Sequence, residues 1–310
     1  MKDPDPPDQQ PRPPIEIELE PTVARRLARW TERARILRAS VESARADHAS
    51  VELCFGLVER DSSIGGGLLA GALAYRIFVL LLPSALLFVS GLGLYADTVD
   101  KSPSTVARET GLHGLIASQV ASTASSNARW IVFLVMIPAV LYALVKLHRA
   151  IAVVYAIVWL GSGRGVRTST KAVALLGAAL LLAIAAAQIV GWIRRDDQLG
   201  GIAALLVYLV VVGGAWLVVS LHLPHREVRW TALVPGALLV GFGLFFVNVF
   251  NVYVTTRLVE DRANTYGALG IAAALLLSLV LVGRVIVVSA ELNALLDERP
   301  RVPSSSAASR

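Results

Sequence analysis

The chain has 310 residues, 55% of them hydrophobic and only 17% charged, with a mean hydropathy of +0.63 and a formal charge of +6. A soluble domain carries about a quarter charged residues, and here the apolar residues gather in runs near or above the ~20 that cross a bilayer. An ordinary soluble domain is excluded, and an all-α integral membrane protein is expected.

In chain order, "MKDPDPPDQQPRPP" is too polar and Pro-rich to fold, so residues 1–21 are expected to be a disordered tail. It lacks the apolar core of a signal peptide, which leaves insertion to the first transmembrane helix. Residues 22–60 read as a basic amphipathic helix on the cytoplasmic side. Val23, Leu27, Trp30, Ala34, Leu37, Val41, Ala44, Val51, Phe55 and Val58 make one stripe. Arg25, Arg26, Arg29, Arg33, Arg35, Arg38 and Arg45 occupy other faces. Such a helix suits an anionic leaflet, where each basic residue adds about 1 kcal/mol, or the cytoplasmic face of the membrane domain. Anionic lipid headgroups are the expected partners. Nucleic acid is not, because stacking aromatics are missing.

Six apolar segments follow, near 67–95, 129–160, 172–193, 200–221, 231–254 and 266–290, within a membrane domain expected over 61–296. The first contains Pro83. The second contains "KLHRA", Lys146 to Ala150, so it is expected to leave the membrane near Leu147 and continue along the interface as "IAVVYAIVWL". Residues 96–128 form the one sizeable loop, expected outside, and residues 297–310 a disordered tail. Lys and Arg set the orientation. The N-terminal arm holds about ten. Arg149, Arg164, Arg167 and Lys171 follow the second span, Arg226 and Arg229 the fourth, and Arg299 and Arg301 the sixth. Both termini are therefore expected in the cytoplasm and the protein in the plasma (inner) membrane.

Polar residues within the spans are few. Arg76, beside Tyr75, lies early in the first span, and a charge at the bilayer centre costs roughly 2.5–3.5 kcal/mol. Arg284 and Glu291 are seven apart on one face of the sixth, with Asn293 just beyond. Tyr75, Arg76, Arg284, Glu291 and Asn293 form one candidate group, lining a cavity or an ion pair. Asn248 and Asn251 share a face of the fifth span; with Tyr253 and Tyr266 they make a candidate polar cluster toward the outer side. Gln188 reads as an interhelical hydrogen bond. Gly91, Gly93, Gly213, Gly214, Gly236, Gly241 and Gly243 read as sites of close helix packing.

Catalytic chemistry is thin. The single cysteine, Cys54, excludes a disulfide framework and a cysteine-based zinc site. His222 and His225 have no acidic cluster beside them, so no metal is expected. "GSGRGVR", Gly161 to Arg167, lacks the strand–helix context of a nucleotide fingerprint. No catalytic residue and no cofactor are expected.

The stretch "YGALGIAAALLLSLVLVGRVIVVSAELNALL", Tyr266 to Leu296, resembles the last span of the YihY/virulence factor BrkB family, with YGxLG opening the helix and GAELN closing it. "ALAYRIFVLLLP", Ala72 to Pro83, resembles that family's first span. Ser289 stands where the family usually has Gly, and Arg76 where an aromatic or apolar residue is common. The resemblance implies six spans and an inner-membrane protein with a transport or envelope role. Some relatives bear an older ribonuclease label, but metal-dependent RNA cleavage needs clustered His and Asp, and the sequence lacks them. The expected function is transporter-like or lipid- and envelope-handling, with an unidentified substrate. A non-transporting envelope scaffold is the alternative.

Overall fold

Gly65 decides where the first two helices meet. Its φ of +68° is a left-handed conformation that costs glycine little. Helix α1 (Ala49–Ile64) stops there and α2 (Gly66–Thr98) starts at the next residue. The Leu68 and Leu69 amides donate back to the Gly65 carbonyl at 2.9 and 3.2 Å, so the new helix is anchored on the turn itself.

The computed structural model describes residues 49–98, 129–193, 200–251 and 268–298. The chain divides into two units, Met1–Phe55 and Gly56–Arg310; the first is described only from Ala49 onward. The 1–21 tail, most of the basic arm, residues 99–128 of the expected loop and residues 299–310 lie outside the described residues, whereas 96–98 and 297–298, expected in the loop and the C-terminal tail, are helical.

The remaining elements are α3 (Arg129–Leu160), α4 (Thr170–Ile193), α5 (Gly200–Ser220), a 3-10 turn (Trp230–Leu233), α6 (Val234–Phe250) and α7 (Ala268–Glu298). Every element among the described residues is helical. Five are long and apolar enough to cross a membrane: α2, α3, α4, the run Trp230–Phe250, and α7. The α5 helix is apolar over the shorter stretch Leu205–Ser220. The protein is a multi-pass membrane protein.

Neighbours follow the order α3, α2, α7, α6, α5, α4, and α4 returns to α3, which closes the ring; α3 also touches α7. The first and last long helices are thus side by side. Glycine permits the closest crossings, as the sequence implied. A Cβ at Gly213 would stand 3.2 Å from the Ala237 carbonyl oxygen, and one at Gly241 3.1 Å from that of Leu209. At Gly283, which the sequence did not mark, an added Cβ would run into the Ala70 carbonyl. Gly214 departs from expectation, because it faces open space.

A second departure concerns α3. It does not turn onto the interface after Leu147 but runs on to Leu160 as one helix. Its last turns supply Ile151, Ala152, Val154, Tyr155, Ala156, Val158 and Trp159 to the core, all buried. An interfacial helix would leave one face wet; this segment is apolar all round and contains no helix breaker. We call the end of the ring marked by Gly66, Leu160, Thr170, Ser220 and Glu298 the base. Burial is deepest near it, at Leu147, Ile151, Tyr155, Leu176, Leu233 and Val287. Far from it, Tyr95, Trp130, Ile131 and Leu134 expose apolar surface suited to lipid.

Candidate functional site

The last turn of α1, the first turn of α2 and the basal half of α7 converge on one ionic centre. Arg284 of α7 grips Asp61 of α1 in fork geometry: Nη1 donates to Oδ1 at 2.5 Å and Nη2 to Oδ2 at 2.7 Å. Paired donors on one carboxylate give both strength and orientation. Gly66 makes room for the contact. A Cβ there would overlap the Asp61 carboxylate and stand 3.0 Å from Glu291 Oε1.

Glu291 lies two turns beyond Arg284 on the same face of α7. It is completely buried, and neither oxygen meets a hydrogen-bond donor among the described residues. The charges acting on it are those of Asp61, Arg284 and Arg60. Arg60 is already engaged: its guanidinium meets Glu298 at 2.6 Å and the Val158 carbonyl at 2.7 Å. Arg226 approaches Glu298 at 3.8 Å. The basal ends of α1, α3 and α7 are therefore tied by charge as well as by packing.

Asn293, one turn past Ser289, does a different job. Its Oδ1 accepts the Gly236 amide at 2.7 Å and its Nδ2 donates to the Leu233 carbonyl at 3.3 Å. Leu233 is the N-cap of α6 and has no capping side chain of its own, so α7 provides the cap. Beyond it an open groove of about 420 Å³ is lined by Arg229, Thr231, Ala232, Pro235, Leu296 and Asp297.

The candidate residues are thus only partly gathered. Arg284 and Glu291 meet around Asp61, and Asn293 sits close by on α7. Arg76 and Tyr75 stand apart, ten and nine residues up α2 from Gly66. Arg76 forms no ion pair with Glu291; its guanidinium lies 5.8 Å from the Tyr75 ring centroid, and Tyr75 is 60% exposed. The reason is distance, since ten residues of helix rise about 15 Å. Toward the far end, Ser278 of α7 donates to Asn251 Oδ1 at 2.5 Å, with Asn248 half-buried one turn earlier. Tyr253 and Tyr266 lie outside the described residues. Gln188, expected between helices, is exposed on α4. His222 and His225 each engage a backbone carbonyl through Nδ1, those of Val218 and Leu223.

Sequence reasoning missed Asp61 and Gly66. Asp61 belongs to the polar end of α1 and lies 223 positions from Arg284, so no local spacing connects them. The triplet "GGG" at Gly65–Gly67 was the available signal for a tight approach.

A family model described as Virulence factor BrkB matches residues 58–310, most of the chain. No curated protein and no solved structure matches it.

Proposed function

The chain belongs to the BrkB virulence factor family, and from that premise we propose that it is a transporter-like plasma-membrane protein that moves an anionic solute or lipid. In this reading α5 completes a set of six spans, and the base faces the cytoplasm. The loops at the base carry Arg164, Arg167, Arg226 and Arg229, with Lys171 opening α4, and an excess of basic residues marks the cytoplasmic side. The basic arm over 22–60 then holds anionic headgroups at the same surface. The protein binds and translocates; it performs no covalent chemistry.

Arg76 carries the proposal. It is half-buried, and no carboxylate among the described residues pairs with it. About 15 Å of helix separates it from Gly66 at the base, half of a ~30 Å hydrocarbon layer. An arginine held there is costly, and such residues mark substrate or ion paths. A phosphate- or carboxylate-bearing substrate supplies the missing negative charge as it passes.

Thiol accessibility tests this reading. In a Cys54→Ser background, Tyr75→Cys and Arg76→Cys are expected to react with a membrane-impermeant maleimide, because a polar path reaches them. Thr231→Cys, in the basal groove, is expected to react in inverted vesicles and not in intact cells. Labelling of Thr231→Cys with neither position 75 nor 76 reacting describes a dry scaffold and overturns the proposal. Labelling of Thr231→Cys from outside intact cells overturns the orientation.

A further inference from the structure

Three charged groups share the space above Gly66, and their charges do not balance. Arg284 contributes one positive charge. Asp61 and Glu291 contribute two negative charges when both are ionised. The fork of Arg284 occupies both oxygens of Asp61, and Arg60 is taken by Glu298 and the Val158 carbonyl. α2 brings the bare backbone of Gly66 to the spot. Glu291 is left fully buried, and no donor among the described residues meets either of its oxygens. A buried carboxylate without a partner is strongly unfavourable unless it is neutralised.

We propose that Glu291 and Asp61 together hold one exchangeable monovalent cation, a proton or a sodium ion, at the base of α7. A proton on Glu291 turns one acceptor into a donor, which can bond to the Asp61 carboxylate beside it. A sodium ion in the same place is held by oxygens of both carboxylates. Either way the three groups become neutral in sum. Exchange has a route, since the Asp61 and Arg284 side chains are 19% and 40% exposed while Glu291 is sealed behind them. When the cation leaves, Glu291 competes with Asp61 for Arg284. The grip of α7 on α1 then depends on occupancy, which is what a coupling site requires. That coupling role rests on the transport reading; the binding itself does not.

The test uses the full chain purified in detergent, with protons and Na⁺ as the probes. Infrared difference spectra between acidic and alkaline buffer report a protonated carboxyl group. Thermal unfolding in NaCl against choline chloride reports sodium. A carboxyl band that disappears on alkalinisation and is lost in Glu291→Gln assigns the proton. A rise in melting temperature specific to Na⁺ and lost in Glu291→Gln assigns sodium. Asp61→Asn is the second variant, should Glu291→Gln not fold. It frees Arg284 to pair with Glu291, so the cation response is expected to vanish there too. The proposal is overturned if wild type shows neither response, or if the response survives in a variant. Those outcomes concern binding in detergent, whereas failure of the transport reading shows as unlabelled Tyr75→Cys and Arg76→Cys in vesicles. Neither result implies the other.

Discussion

Gly283→Val is expected to prevent stable accumulation of the protein in the membrane. Gly283 is buried where α7 crosses α2, and an added Cβ would meet the Ala70 carbonyl. That atom is backbone, so no side-chain rotation relieves the clash, and the two helices must separate. Overpacking a well-fitted core costs about 1–3 kcal/mol when side chains can adjust; here they cannot, and the loss belongs at or above the upper end. Arg284 is the next residue, so moving α7 outward also draws its guanidinium from Asp61. Gly214→Val is the control, since Gly214 faces open space and its replacement is expected to be near neutral. Membrane yield and detergent melting temperature read both. Equal behaviour of the two variants would show that the α2–α7 crossing is not tight.

Asn293→Leu has the second-largest expected effect. Leucine has a similar branched shape but makes neither hydrogen bond, leaving the Gly236 amide unpaired inside the bundle and removing the second donor to the Leu233 carbonyl, which as N-cap also accepts the first helical bond. A buried polar group stripped of its partner costs about 1–3 kcal/mol, and the Gly236 amide is that group. Asn293→Asp keeps the acceptor for the Gly236 amide but buries a carboxyl oxygen against the Leu233 carbonyl, which carries a cost of its own. Both variants are expected to melt below wild type. An Asn293→Leu protein as stable as wild type would mean the start of α6 needs no cap from α7.

Spans were legible because the bilayer imposes a length that apolar runs must meet, and the described helices fall on the runs expected. The face shared by Arg284 and Glu291 was legible for a similar reason, as seven residues make two turns. What spacing does not carry is the partner across the fold. Asp61 reads as one more polar residue at the end of an amphipathic segment. Nothing local says that it will meet α7 over a glycine. Asn293 was singled out by type and position, yet its partners are backbone groups, which every residue has. Bilayer thickness does not limit α3, which runs on as one helix to Leu160. Its last turns are buried by protein at the base. The reading that groups Arg76 with Glu291 fails on depth, because Gly66 is the α2 residue beside Glu291 and Arg76 lies about 15 Å further along that helix.

The ionic centre joining α1 to α7 is the feature on which the site and the cation proposal both depend, and a charge reversal tests it most directly. Asp61→Arg and Arg284→Asp, made singly, each set two like charges against one another and are expected to lower the melting temperature of the purified protein. Made together, they restore an opposite pair in the same place. The double variant is expected to melt well above either single one, with a coupling energy of about 0.5–3 kcal/mol, the range for groups in contact. A double variant no more stable than the sum of the two single losses would contradict the account.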